Sequence, residues 1–286
     1  MNGIIASILD GLLVGSVYGL AAMGLTLIWG VMNVINLTHG AIIVAGMFGV
    51  FLLATVLGVN AYASILPLVA ASFVLGVGLY WVAVHRVIGQ PPLMSLLSTF
   101  AVNLILIGLG TALWGTQLFN VTVTLPGLSL GRYTFPGTHI MAAVLAFVIA
   151  GLLYLFLHHT RLGKAVRAVA NNREAAALVG IPTTWVLSLA FGLGVALACT
   201  AGALIATMFP FTVLSGSTYQ VNSFVVTVLG GLGNPAGALL GGVALGLLEG
   251  LATPFMPVSW TSVIEFVLFV IVLIAFPRGL FNFRRS

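Results

Sequence analysis

Acidic and histidine residues within the apolar stretches of this 286-residue chain are the first candidates for chemistry. Glu249 and Glu265 lie inside such stretches, and Asp10 lies near the start of the first one. A carboxylate at membrane depth is costly, so each is a functional candidate by default. One interpretation is structural, with a carboxylate that pairs with Arg86 or caps a helix end. The other is a proton relay in which His39 takes part.

Other chemistries find little support in the residues present. No Cys/His set has metal-ligand spacing, the glycine runs lack the Lys-Ser/Thr of a phosphate loop, and no nucleophile–base set stands out. Nine Lys and Arg residues and a net charge of +5 do not indicate a nucleic-acid-binding surface. The single cysteine, Cys199, excludes an intrachain disulfide and is expected to be a small core residue. We expect a non-enzymatic chain with no cofactor, no metal site and no ATP site.

Two groups of polar residues interrupt the apolar sequence. The first group stands directly before Gly40, where the helix is expected to break, and the second recurs on one helical face beside Gly230 and Gly231. Each group either lines a path for a small polar solute or is structural. The structural alternatives are an interfacial turn for the first group and helix–helix hydrogen bonding for the second. The predicted pathway residues are Asn33, Asn36, Thr38, His39, Gln220, Asn222 and Thr227.

The segment 159–182 is the longest non-spanning segment with helical character. Asn172 is a good N-cap residue, and Glu174 in the first turn suits the helix dipole. Gly180 suits the position after the helix end, and Pro182 stops any continuation. The pattern predicts a helix of about two turns outside the membrane. It is either a solvated connector whose arginines anchor lipid headgroups or a docking helix for a cytoplasmic partner.

The composition indicates the elements that must position these residues. Hydrophobic residues make up 61% of the chain and charged residues 5%, against about 25% charged residues in a soluble domain. The sequence therefore predicts an all-α, polytopic transmembrane helical bundle of about eight to nine spans, some short or broken. It forms a single transmembrane domain over residues 1–286. The predicted apolar segments are 4–32, 41–58, 61–84, 93–114, 138–158, 183–208, 219–232, 236–252 and 259–276.

Basic residues orient the bundle by the positive-inside rule. They place the loop 159–182 and the C-terminus with its three arginines in the cytoplasm, whereas the loop 115–137 is expected outside. Counting back through nine segments places the N-terminus outside, and eight segments would reverse that assignment. Glycines spaced four residues apart between positions 237 and 250 predict closely packed helices.

Several motifs together resemble one family. Residues 173–181, Arg-Glu-Ala-Ala-Ala-Leu-Val-Gly-Ile, resemble the EAA…G coupling loop by which ABC importer permeases dock on their ATP-binding subunit. Residues 24–40, 230–237 and 277–281 extend the resemblance to high-affinity branched-chain amino acid permeases of the LivH type, from about residue 8 to residue 283. The ATPase-coupling residues that this resemblance implies are Arg167, Asn172, Arg173, Glu174, Ala175, Ala176 and Gly180.

The resemblance implies the permease subunit of an ABC importer for branched-chain amino acids, with urea or short-chain amides as alternative substrates. It further implies two cytoplasmic ABC ATPase subunits, a second, related permease subunit and a periplasmic or extracellular substrate-binding protein. Membrane lipid surrounds the bundle, no nucleic acid is involved, and the location is the bacterial plasma (inner) membrane. A proton-coupled secondary transporter is the alternative function. A membrane enzyme or passive channel ranks last.

Overall fold

The computed structural model describes residues 2–130, 133–255, 260–275 and 279–280, and helices dominate it. In chain order the elements are α1 (Asn2–Met32), α2 (His39–Phe51), α3 (Ile65–Leu79), α4 (Pro92–Trp114), β1 (Leu128–Leu130), β2 (Tyr133–Phe135), α5 (Gly137–His159), α6 (Arg161–Asn171), α7 (Arg173–Leu178), α8 (Thr183–Ala206), α9 (Gly216–Gly230), α10 (Pro235–Ala252) and α11 (Thr261–Ala275). Helices α2 and α3 each continue into one π-helical turn, at Leu52–Val56 and Tyr80–Val84. The two short strands pair antiparallel.

Seven helices in the described part of the chain are long and apolar enough to cross a membrane. They are Ile4–Met32, His39–Val56, Ile65–Val84, Pro92–Trp114, Gly137–His159, Thr183–Ala206 and Pro235–Ala252. Helices α9 and α11 have 15 residues each, fewer than the roughly 20 that a full span needs. The predicted all-α polytopic bundle is confirmed, and the predicted short segment at 219–232 corresponds to α9.

Helix α8 is the centre of the bundle. In its most apolar 18-residue stretch 89% of the residues are buried, whereas the corresponding share for α4 is 11%. Helix α8 packs against α1, α2 and α3, and a Cβ added to Gly202 would overlap the carbonyl oxygen of Ile43 on α2. Cys199 is buried and unpaired in this core, as predicted. Helix α4 therefore lies at the surface of the chain, and α8 is surrounded by other parts of it.

The predicted close packing of glycines is confirmed where α10 crosses α1 antiparallel. A Cβ added to Gly15 would stand 2.5 Å from the carbonyl oxygen of Gly242, and one on Gly246 would stand 2.1 Å from that of Gly11. The two backbones are therefore in direct contact, as small residues permit in membrane helices. This contact fixes the position of α1, whose last turn leads into the segment that joins α1 to α2.

The start of α1 lies at the end of the bundle opposite to the basic segment 159–182. Asp10 contacts His139 at the start of α5, and their side chains are 2.6 Å apart. Helix α5 then runs the length of the bundle before the basic segment begins. This arrangement agrees with the nine-segment count, which places the N-terminus outside when the basic segment is cytoplasmic. The predicted cytoplasmic residues Arg278, Arg284 and Arg285 lie outside the described residues.

Candidate functional site

Two non-spanning segments hold most of the predicted site residues. We call residues 160–182, which contain α6 and α7, the hook. We call residues 33–38, between α1 and α2, the break. The sequence predicted one short helix in the hook, and the structure has two.

Helix α6 attaches the hook to the bundle. Thr160 caps it, because its Oγ1 accepts a hydrogen bond from the Gly163 amide at 2.9 Å. Gly163, Val166 and Val169 are buried, at the three-residue spacing of one helical face. That spacing is the signal for α6, and the sequence interpretation missed it.

Two of the predicted coupling residues face the bundle. Arg167 Nε donates to the carbonyl oxygen of Leu157, at the end of α5, at 2.9 Å. A cation on the last carbonyls of a helix is favourable, so Arg167 ties α6 to α5. Ala176 is 4% exposed and is the buried residue of α7. Arg167 and Ala176 therefore fix the position of the hook on the bundle.

The start of α7 follows the prediction closely. Asn172 is its N-cap, with Oδ1 accepting from the Ala175 amide at 2.9 Å. Glu174 lies in the first turn and is exposed, as are Arg173 and Ala175. The four predicted coupling residues at this end are therefore accessible from outside the chain.

The end of α7 is a complete Schellman motif. The Ile181 amide donates to the Ala176 carbonyl at 3.1 Å, and the Gly180 amide donates to the Ala177 carbonyl at 3.0 Å. Gly180 has a φ of +83°, which only glycine adopts readily. With both ends capped, α7 is fixed in place despite its six residues.

At the end of α7 the hook exposes two large apolar side chains. Leu178 is 89% exposed and Val179 is 76% exposed, beside the charged pair Arg173 and Glu174. Contiguous exposed apolar groups rimmed by polar ones mark protein–protein or membrane contact sites. The sequence interpretation quoted these two residues within the loop but did not place them in the site.

The break begins with a left-handed residue. Asn33 has a φ of +54°, a region that asparagine tolerates better than most residues. Its amide still donates to the Trp29 carbonyl at 2.8 Å, and its side chain is exposed. Asn33 therefore terminates α1, which is a structural role for a residue predicted to line the pathway.

Thr99 of α4 holds the middle of the break. Its Oγ1 accepts from the Leu37 amide at 3.2 Å and donates to the Ile35 carbonyl at 3.0 Å. Its own carbonyl accepts from Thr38 Oγ1 at 2.9 Å. The sequence interpretation missed Thr99, although a cluster of hydroxyl residues in an apolar span is a recognisable signal.

Gln220 of α9 holds the break from the other side. Its Oε1 accepts from the Gly40 amide, and its Nε2 donates to the Asn36 carbonyl at 3.3 Å. Asn36 Oδ1 in turn accepts from the Thr38 amide at 3.0 Å. The structure thus brings together four predicted pathway residues, Asn36, Thr38, His39 and Gln220.

Three buried polar atoms in this cluster have no hydrogen-bond partner. They are Asn36 Nδ2 and both ring nitrogens of His39. The His39 ring lies beside the backbone of Ala21 without reaching hydrogen-bonding geometry. Each such atom costs about 1–3 kcal/mol, and unpaired buried groups of this kind call for a functional explanation.

The break lies inside the bundle rather than at its edge. Helix α4 starts at the end of the bundle that carries the hook. Trp81, in the π-helical turn that precedes α4, contacts Trp185 at the start of α8 with ring centroids 5.9 Å apart. Thr99 lies seven residues beyond the first residue, Pro92, which is about 10 Å along a helix. Of the two sequence interpretations, the structure therefore favours the break within the membrane over the interfacial turn.

Space beside the break is apolar. A cavity of about 220 Å³ lies between α2 and α4, and its walls include Ala41, Val44, Phe48 and Leu106. None of the predicted pathway residues lines this cavity. The polar groups of the break are packed into protein in this conformation.

The two remaining pathway residues lie on α9 and are buried. Thr227 Oγ1 donates to the Ala22 carbonyl of α1 at 3.4 Å, which is the helix–helix hydrogen bonding that the sequence left as an alternative. Asn222 is 5% exposed, and Tyr219 of the same helix contacts Tyr18 of α1 with ring centroids 6.2 Å apart. This part of α9 packs on α1, whereas Gln220 reaches the break.

The acidic residues of the apolar segments have different surroundings. Asp10 pairs with His139 and not with Arg86. Glu249 is half-buried on α10, close enough to Tyr219 to interact electrostatically. The side chain of Glu265 lies outside what the structure describes.

Comparison with known proteins identifies the family to which this sequence is similar. The sequence model of the family described as branched-chain amino acid transport system / permease component matches residues 7–273. The high-affinity branched-chain amino acid transport system permease protein LivH of Escherichia coli strain K12 is 28% identical over 95% of this chain and 93% of its own length. The corresponding permease protein BraD of Pseudomonas aeruginosa is 28% identical, over 96% and 94%.

A more distant relationship covers part of the chain. The ribose import permease protein RbsC of Bacillus subtilis is 32% identical, over 50% of this chain and 42% of its own length. No solved structure matches the chain.

Proposed function

This chain belongs to the family of branched-chain amino acid transport permease components, and on that premise we propose that it is the permease subunit of an ABC importer. It moves branched-chain amino acids across the bacterial plasma membrane into the cell, using ATP hydrolysed by separate subunits. The names of the relatives that span almost the whole chain support this solute class. Urea and short-chain amides are the alternative solutes.

The observation that carries the proposal is the exposed apolar tip of the hook. Leu178 and Val179 stand out from a helix whose two ends are capped, next to a cluster of basic residues. A rigid apolar knob of this kind fits a groove on a soluble partner. Positive charge on the same segment favours the cytoplasmic side, where ATPase subunits are found.

The assembly contains partners besides this chain. Two cytoplasmic ATPase subunits dock on the hooks of two related permease subunits, and a periplasmic or extracellular binding protein delivers the solute. Closure of the ATPases around ATP moves the hooks as rigid bodies, as in other subunit rotations. The unpaired atoms of Asn36 and His39 become available to the solute or to water when the break opens.

Transport by purified components tests this proposal. The chain is reconstituted in vesicles with the ATPase, permease and binding-protein subunits of its own system. We expect uptake of leucine, isoleucine or valine that needs both ATP inside and binding protein outside. Accumulation by the chain alone, driven by a proton gradient and lost in Glu249→Gln, would support the proton-coupled alternative and contradict the importer.

A further inference from the structure

Two adjacent hydroxyl residues of α4 reach two different neighbours. Ser98 Oγ donates to the carbonyl oxygen of Ala83, in the π-helical turn that ends α3. Thr99, the next residue, holds the break through Ile35, Leu37 and Thr38. Helix α4 therefore connects the π-helical turn to the break at one level of the bundle.

The π-helical turn also touches α8, the helix that directly follows the hook. Its first residue, Tyr80, is fully buried against Phe191 of α8. Its second residue, Trp81, contacts Trp185, three residues after the hook ends. A displacement of the hook would therefore reach this turn through the start of α8.

The turn itself is a mechanically unusual element. It contains the wide i→i+5 bond from the His85 amide to the Tyr80 carbonyl, at 2.7 Å. Single π-helical turns within α-helices are uncommon and concentrate at functional sites. The Tyr80 hydroxyl is buried without a hydrogen-bond partner, which leaves room for an alternative arrangement of the turn.

We propose that Ser98 and Thr99 form a relay that transmits movement of the hook to the break. The order of contacts is the hook, the start of α8 at Trp185, the turn Tyr80–Val84, Ser98 and Thr99 of α4, and then the break. Such a chain of contacts couples two sites when both sites shift the equilibrium of one element between two arrangements. Here the two sites are the hook and the break, and the element is the turn. The inference rests on the proposed function, because the hook is the part that the ATPases move. Ser98 and Thr99 are positioning residues that never contact the solute.

The test is the number of solute molecules imported per ATP hydrolysed in the reconstituted assembly. The variant Thr99→Val keeps shape and removes the hydroxyl. We expect it to lower uptake at least fivefold while ATP hydrolysis stays within twofold of the unmodified assembly. Thr99→Ser, which restores the hydroxyl, should recover most of the ratio. Ser98→Ala should lower the ratio less, since it breaks one bond.

Matched controls lie on the same helix. Ser95 Oγ donates to the Pro92 carbonyl and Thr111 Oγ1 to the Ile107 carbonyl, both within α4. Ser95→Ala and Thr111→Val should leave the ratio unchanged. If these controls lower it as much as Thr99→Val does, or if Thr99→Val lowers uptake and hydrolysis together, the relay is wrong.

The double variant Ser98→Ala with Thr99→Val distinguishes a relay from two independent structural roles. If both residues belong to one route, the double variant should lower the ratio no further than Thr99→Val alone. Independent roles would multiply the two losses and overturn the proposal. If Thr99→Val does not fold, Thr38→Val breaks another bond between the break and Thr99, from Thr38 Oγ1 to the Thr99 carbonyl, and should also lower the ratio. An unmodified assembly without ATP-driven uptake would instead contradict the proposed function, so the two failures are distinguishable.

Discussion

The hook and the break are both short interruptions of an apolar helical bundle, and they are built in opposite ways. In the hook the backbone is satisfied by Asn172 at one end of α7 and by the Gly180 motif at the other, while apolar side chains stand in the open. At the break and at His39, which directly follows it, Asn36 and His39 are buried while three of their polar atoms have no hydrogen-bond partner.

The contrast indicates what each segment lacks in the isolated chain. The hook lacks an apolar surface to cover Leu178 and Val179, which a protein partner supplies. The break lacks hydrogen-bond partners, which a solute or water supplies once the surrounding helices separate. The tip of the hook is therefore expected to lose function without a change in stability when it is altered, whereas His39 beside the break should lose function and gain stability when its ring nitrogens are removed.

The largest effect is expected from charge at the tip of the hook. The double variant Leu178→Asp with Val179→Asp should abolish ATP-driven uptake, by tenfold or more, because it removes the apolar contact that docks the ATPases. Stability should not change, since both side chains are exposed. Leu118→Asp, at a residue 69% exposed and following α4 at the opposite end, is the control and should transport normally. Co-purification of the ATPases is the second readout.

A smaller effect on uptake, together with a gain in stability, is expected at His39 beside the break. His39→Phe removes two unpaired ring nitrogens, so it should raise the free energy of unfolding by roughly 1–3 kcal/mol. Uptake should fall several-fold, since the site loses its polar groups. Thr38→Val, which breaks the bond to Thr99, should instead destabilise the chain by about 1 kcal/mol. A destabilised His39→Phe, or one that transports normally, would remove the distinction between the segments.

Gly180 tests the conformation of the hook alone. No atom lies within 4 Å of a Cβ added there, so Gly180→Ala has only the backbone penalty of a positive φ, about 1–2 kcal/mol. It should lower uptake a few-fold by distorting the end of α7. Gly151→Ala, also in open space but without a positive φ, should be neutral. Equal effects of the two variants would contradict a conformational role.

The smallest effect is expected from the N-cap. Asn172→Ala removes the bond to the Ala175 amide, at a cost of about 0.5–2 kcal/mol to the local helix. Because α7 is held at its other end and at Ala176, we expect about a twofold loss of uptake at unchanged thermal stability. Asn172→Ser, which keeps a capping oxygen, should restore uptake, and uptake in initial-rate assays is the measurement.

Local features of this chain were predictable from the sequence, and long-range ones were not. Hydropathy locates the spans, and the Asn172 and Gly180 caps follow from residue type within one short segment. Helix α6 was missed because Lys164 and Arg167 stand directly beside its buried residues Gly163 and Val166 in the sequence and mask the buried face. The polarity of Asn33 is visible in the sequence, whereas the left-handed φ with which it ends α1 is not.

The partners of the break depend on contacts that no local pattern encodes. Gln220 is 180 residues from Gly40, and Thr99 is 61 residues from Thr38. Asp10 contacts His139 across 129 residues, a partner that the sequence interpretation did not name when it considered Arg86. Polarity in an apolar helix identifies such residues as noteworthy, and only the packing of the helices decides what they bind.

Site-directed cross-linking from the tip of the hook tests the central claim most directly. Cys199 is buried and is the only native cysteine, so Val179→Cys gives a chain with one accessible thiol. We predict that an impermeant thiol reagent labels it only from the cytoplasmic side, and that a short bifunctional reagent links it to an ATPase subunit in assembled membranes. Labelling from the outside, or cytoplasmic labelling without any link to an ATPase, would contradict the account.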